Sequence, residues 1–103
     1  MDESLFSIRL TNSAEQDLLS GFEFYESQVS GLGDYFVDNL IADIDSLCVA
    51  AGSHPKSYAG FHRMLSKRFP FAIYYELQER TAYVVAVLDC RQNPDSIKER
   101  FDV

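Results

Sequence analysis

After Gly60 the apolar pattern of the chain changes period, and this change constrains the fold more than any other feature of the sequence. Before it, apolar residues recur at spacings of three and four, the signature of one helix face. Leu18, Phe22, Tyr25 and Val29 form a first stripe, and Phe36, Leu40, Ile44, Leu47 and Ala51 a second. After it, Phe71, Ile73, Tyr75 and Leu77 take alternate positions, and Ala82 to Leu88 is almost wholly apolar. Alternation marks a strand with one covered face, and a short continuous apolar run marks a strand covered on both. Helices segregated from strands predict an α+β architecture.

The punctuation between these stretches sets the expected boundaries. Phe6-Ser7-Ile8-Arg9-Leu10 alternates and predicts a first strand within residues 5–10. Ser13-Ala14-Glu15-Gln16 has the form of a capping box, which starts the first helix at Ser13. Ser30-Gly31-Leu32-Gly33 stops that helix, Asp34 is expected to cap the second, and Gly52 with Pro55 ends it. Two helices joined by so short a link predict an antiparallel hairpin. Phe61 to Leu65 predicts the second strand, and Gln78-Glu79-Arg80 the loop between the last two. Asn93-Pro94-Asp95 starts a short C-terminal helix ending near Phe101. The expected order is β-α-α-β-β-β with that helix appended: a helical hairpin on one face of a small, mostly antiparallel sheet. The other face is left for the C-terminal segment or a partner. A chain of 103 residues accommodates one such domain, expected to span residues 1–103.

The formal net charge of −7 opposes general affinity for nucleic acid or anionic lipid. That charge is unevenly divided. Residues 1–53 hold ten acids against Arg9 alone, whereas the remainder holds eight Lys or Arg against six acids. Arg63, Lys67 and Arg68 cluster within six positions, and Arg91 follows the last strand. Guanidinium groups bind phosphate or carboxylate with a two-pronged geometry, and ion pairs with the chain's own surplus of acids are the competing use. Phe69, Phe71, Ile73 and Tyr75 are expected to pack in the core rather than stack on bases. Asp43 and Asp45, two apart on a helix, are expected on a solvated face. His62, on a strand, is a candidate general acid or base, and a structural role competes with that one; His54 is expected to be loop.

Cys48 and Cys90 lie far apart with no CxxC, so reduced, buried thiols are expected. No metal-ligand spacing, phosphate-binding glycine loop or nucleophile elbow occurs, and neither a metal nor a small-molecule cofactor is expected. No apolar run approaches the roughly 18 residues of a membrane-spanning helix, and MDESLFS begins acidic where a secretory signal would begin basic. A cytoplasmic protein with no membrane association is expected.

Several pieces then combine: Ser13-Ala14-Glu15-Gln16-Asp17-Leu18 opening a helix, Leu32-Gly33 before a second, and Arg63 in a short strand. Arg68-Phe69-Pro70-Phe71-Ala72-Ile73-Tyr74-Tyr75, Val85-Ala86-Val87 and Arg91-Gln92-Asn93-Pro94 follow. In this order, over nearly the whole chain, they resemble the RelE/ParE superfamily of toxins from bacterial type II toxin–antitoxin systems, in its ParE-like or plasmid-stabilisation branch. The resemblance implies the β-α-α-β-β-β fold and a cognate antitoxin whose C-terminal segment wraps the toxin. It also implies one of two mechanisms. RelE-like members cleave messenger RNA in the ribosome, where cations stabilise the scissile phosphate; ParE-like members block DNA gyrase by binding it.

By position, Arg63 and Arg91 match arginines of the RelE nuclease site, with His62 as proton carrier if the chain is a nuclease. Lys67, Arg68 and Arg91 are the candidate partner-binding residues. The sequence departs from the RelE pattern in offering only Lys56 beyond an acidic hairpin and no tyrosine in Ser96-Ile97-Lys98-Glu99-Arg100-Phe101. Docking into ribosomal RNA with this net charge meets long-range repulsion. The expectation is therefore a toxin that binds a target such as DNA gyrase. The alternatives are a ribosome-dependent messenger RNA endoribonuclease and a degenerate, non-toxic member that keeps antitoxin binding.

Overall fold

A computed structural model of the chain describes residues 5–101; Asp2 and Glu3, counted among the acids of the first half, lie outside the described residues. Strand β1 (Ser7–Leu10) leads into helices α1 (Asn12–Glu26) and α2 (Leu32–Asp45), the latter followed by a single turn, α3 (Leu47–Ala50). Strands β2 (His62–Leu65), β3 (Phe71–Gln78) and β4 (Thr81–Asp89) follow, and α4 (Pro94–Phe101) closes the order. The sheet runs β1-β4-β3-β2, with β1 parallel to β4 and the other pairs antiparallel, so the α+β expectation holds. The two longest strands are central, which is why both carry apolar residues on both faces.

Helix α1 starts earlier than the capping box predicts. Thr11, not Ser13, is the cap: its Oγ1 accepts the Ala14 N–H at 3.1 Å. The strand dictates this position, because the Thr11 N–H donates to the Val84 carbonyl at 3.0 Å and ends β1 there. The first stripe also ends early. Leu18 and Tyr25 are buried and Phe22 is half-buried, but α1 stops at Glu26 and Val29 is 59% exposed.

Helix α2 is capped at Gly31, with φ +90°, a conformation open to glycine; Asp34 lies inside the first turn. The missing side-chain cap is supplied from α1. Glu26 accepts the N–H of Gly31 at 3.0 Å and of Gly33 at 2.9 Å, placing a carboxylate against a helix N-terminus. A Cβ at Gly33 would lie 2.7 Å from the Phe22 carbonyl oxygen, so glycine is what lets the hairpin close. The second stripe is retained across the break at Ser46: Phe36, Leu40, Ile44 and Leu47 are all buried.

Two apolar clusters flank the sheet. On one side Phe36, Leu40, Ile44 and Leu47 meet Phe71, Ile73, Tyr75 and Val84, with the rings of Tyr25, Phe36, Phe69 and Phe71 in mutual edge or tilted contact. On the other side α4 covers Ala72, Tyr74, Ala86 and Leu88 with Ile97 and Phe101. The C-terminal segment thus fills the second face. The register between β3 and β4 slips at Tyr74/Tyr75, leaving Val85 as an extra residue in β4. This bulge inverts the phase of β4: Ala82 and Val84 face the hairpin before it, and Val87 faces the hairpin after it.

β1 ends opposite Val84, and beyond that point side chains occupy the outer edge of β4. Asp17 accepts the Val87 N–H at 2.9 Å, and Arg100 reaches the Val85 carbonyl at 3.3 Å. The same two residues form a two-pronged ion pair at 2.9 and 2.7 Å that fastens α4 to α1.

Two further expectations need correction. Asp43 is 7% exposed rather than solvated, because it lies on the buried side of α2 three residues after Leu40 and four before Leu47. It accepts the Ser66 hydroxyl at 2.7 Å and the Lys67 N–H at 3.3 Å. Cys48 and Cys90 are free but half-buried rather than fully buried. Among the described residues, no helix is long and apolar enough to cross a membrane.

Candidate functional site

β2 is short and alternates, so neighbouring side chains leave opposite faces of the sheet. Met64 belongs to the cluster under the hairpin, and His62 stacks on Tyr75 of that same cluster, ring centroids 5.0 Å apart. Arg63 points the other way. Its Nε donates to the Tyr74 hydroxyl at 3.2 Å, and its Nη2 lies 3.5 Å from Cys90 Sγ, both on the α4 side. The Tyr74 hydrogen bond is the main reason that Arg63 is raised above its ordinary pKa.

Arg63 stands between two shallow cavities. One, of about 310 Å³, is lined also by Ser57, Tyr74, Cys90 and Gln92. The other, of about 360 Å³, is lined by Leu65, Ser66, Phe69, Pro70 and Cys90. Ion pairs among the described residues join Arg91 to Asp89 and Arg100 to Asp17; Arg63 has no carboxylate partner there. Its charge is therefore available to an anion in either cavity.

Arg91 is in a different state. Its Nε and Nη2 grip Asp89 at 2.9 and 2.7 Å, and Nη2 lies 3.4 Å from the Tyr25 hydroxyl on the hairpin side. The pairing raises the guanidinium and lowers the Asp89 carboxyl, chiefly through the side-chain hydrogen bond between them.

Lys67 and Arg68 sit exposed in the loop joining β2 to β3, with no acidic partner among the described residues. The Lys67 N–H donates to Asp43, and Ser66 Oγ accepts the Phe69 N–H at 3.4 Å. Phe69 is the anchor of this loop, its ring 5.1 Å from Phe36 and 5.8 Å from Tyr35. The two cations thus stand on a loop pinned by one buried carboxylate and one inserted ring.

The structure does not bring the three nuclease candidates to one point. His62 is bound into the hairpin side: its Nδ1 lies 2.6 Å from the His54 carbonyl, which can only accept, so Nδ1 carries the proton. Arg63 faces the α4 side, and Arg91 is tied to Asp89. The sequence reading missed Tyr74, Asp89 and Asp43 as partners of the cations. Tyr74 was legible as the residue out of phase with Phe71, Ile73 and Tyr75, and Asp89 as the acid two positions before Arg91. His54, expected to be plain loop, has its Nδ1 2.6 Å from the Tyr75 hydroxyl.

Neither a family model nor a curated protein matches this sequence. Among solved structures the chain is similar to one from the chromosomal ParDE toxin–antitoxin system of P. aeruginosa, at 17% identity. The match has a TM-score of 0.72 and covers 82% of this chain and 96% of that chain. At this identity the likeness is one of architecture. The fold of this chain is ParE-like.

Proposed function

We propose that the chain is the toxin of a type II toxin–antitoxin system, neutralised by a cognate antitoxin, and that it acts by occupying a target such as DNA gyrase rather than by cleaving RNA. The ParE-like fold supports the toxin reading. The observation that carries the choice of mechanism is the separation of His62 from Arg63 across β2. A general base and the group that stabilises the phosphate must both reach one reacting centre, within hydrogen-bond distance of it. Here the imidazole lies on the hairpin side, and the free guanidinium lies on the α4 side.

Lys67, Arg68 and Arg63 are the cations we assign to partner binding, since none is neutralised within the described chain. Arg91 contributes only if a partner's carboxylate replaces Asp89. One observation favours the second reading, a ribosome-dependent endoribonuclease: Arg63 sits unneutralised in a concave spot that a phosphate could enter.

Expression of the chain alone in bacteria, following transcript integrity and plasmid supercoiling, separates the readings. Growth arrest with intact transcripts and altered supercoiling is the expected result. Transcript cleavage abolished by Arg63→Ala would establish the nuclease instead. Normal growth together with retained antitoxin binding would identify a degenerate member.

A further inference from the structure

The segment between α3 and β2 is held by an arrangement of three rings, those of His54, Tyr75 and His62. Tyr75, fully buried on β3, accepts the Gly52 N–H at 2.9 Å through its hydroxyl oxygen. The same hydroxyl lies 2.6 Å from His54 Nδ1. Its own proton needs an acceptor, and neutral His54 with a bare Nδ1 supplies one. The His54 carbonyl in turn accepts Nδ1–H of His62, which stacks on the face of Tyr75. Gly52 takes φ +91° at the start of the segment, and Pro55 and Lys56 then run along the outer edge of β2. There the Arg63 N–H donates to the Pro55 carbonyl at 2.9 Å, and Lys56 bridges to His62.

We propose that His54, Tyr75 and His62 form a proton-sensitive clasp, which holds residues 52–57 over the outer edge of β2 in neutral solution and releases them in acid. Protonated His54 would present a donor where the Tyr75 hydroxyl needs an acceptor. The hydroxyl proton would then be left without a partner in a buried position. A charged His54 would also face the His62 ring, whose Coulombic effect opposes that charge. Tyr75 comes from β3 and His62 from β2, while Lys56 and Glu76 line a cavity together with His62. Among the described residues neither imidazole has an ion pair with a carboxylate.

Burial first, and then His62, lower the His54 pKa, which agrees with a ring built to be neutral when docked. The sign follows directly. A histidine lowered in the folded state adds its full stabilisation above the ordinary histidine pKa, and loses it as pH falls from there toward the lowered value. What acid exposes is the outer edge of β2, a row of backbone groups open to pairing with another strand.

Amide hydrogen exchange on the full chain tests this, with the Gly52 and Arg63 amides as reporters and central β3–β4 amides as internal reference. After correction for intrinsic rates, protection of both reporters is expected to fall about tenfold relative to the reference between about pH 7.5 and about pH 5. In His54→Gln, neutral throughout, that pH dependence should vanish. Flat wild-type protection, or an equal fall in His54→Gln, would overturn the clasp. Should His54→Gln fail to fold, the wild-type ring titration by NMR decides. The His54 ring must titrate below the ordinary histidine range and together with the Gly52 amide, and independent titration of the two would refute the proposal.

Discussion

Replacing Asp43 by alanine tests the claim that a buried carboxylate, rather than the loop's own sequence, shapes the cationic turn between β2 and β3. The variant leaves the Ser66 hydroxyl and the Lys67 N–H without the acceptor they have at 2.7 and 3.3 Å. Hydrogen bonds to a charged group contribute roughly 1.5–3 kcal/mol each, and the longer of these two belongs at the bottom of that range. Removing Asp43 also removes the cost of burying its charge, which offsets part of the loss. The net expectation is about 2 kcal/mol of destabilisation, or a Tm lower by about 10 °C for a domain of this size. Asp43→Asn keeps an acceptor of the same shape without the charge, and should lose about half as much. Urea unfolding followed by circular dichroism gives the energies. Limited trypsin digestion gives the local consequence, because Lys67 and Arg68 are themselves cleavage sites in the loop that Asp43 pins. The alanine variant should be cut there faster than the asparagine variant, and that one faster than wild type. An alanine variant with the wild-type urea midpoint and unchanged cleavage would show that Asp43 does not hold the loop.

Gly33→Ala gains roughly 1 kcal/mol of helix propensity but drives a methyl against the Phe22 carbonyl oxygen at 2.7 Å, so a lower urea midpoint is expected; an equal or higher one refutes the close approach. Because Arg91 lowers the Asp89 carboxyl, their pairing stabilises the protein above the ordinary carboxylate pKa and ceases to as pH falls through the lowered value. The stability difference between wild type and Arg91→Ala should therefore be present at about pH 6 and gone at about pH 2 in urea titrations, and a pH-independent difference would contradict it. Lys67→Ala and Arg68→Ala should weaken antitoxin binding and flatten its salt dependence while leaving the unfolding curve unchanged, as titration calorimetry at two ionic strengths would report.

The two helical stripes and the alternation of β3 carried most of the architecture, since burying an apolar face is a local demand that spacing records. Helix starts were less legible because they depend on distant groups. Thr11 caps α1 since its own N–H is taken by Val84, and α2 is capped by Glu26 from the preceding helix. The phase change at Val85 lay hidden in an all-apolar run where either phase satisfies the pattern. At the candidate site, the direction of Arg63 followed from its place between His62 and Met64, yet its partner Cys90 is 27 residues away in sequence. The tie between His54 and Tyr75 depends on the path of an irregular segment, which no periodicity encodes.

The far end of β4, where β1 has already stopped, would be the natural place for copies of this protein to zip together when it accumulates. Asp17 and Arg100 occupy the hydrogen-bonding positions a neighbouring chain would need, and being charged they repay any intruder poorly. Solubility during overproduction should therefore depend on these two side chains more than on the acidic surplus of the chain as a whole.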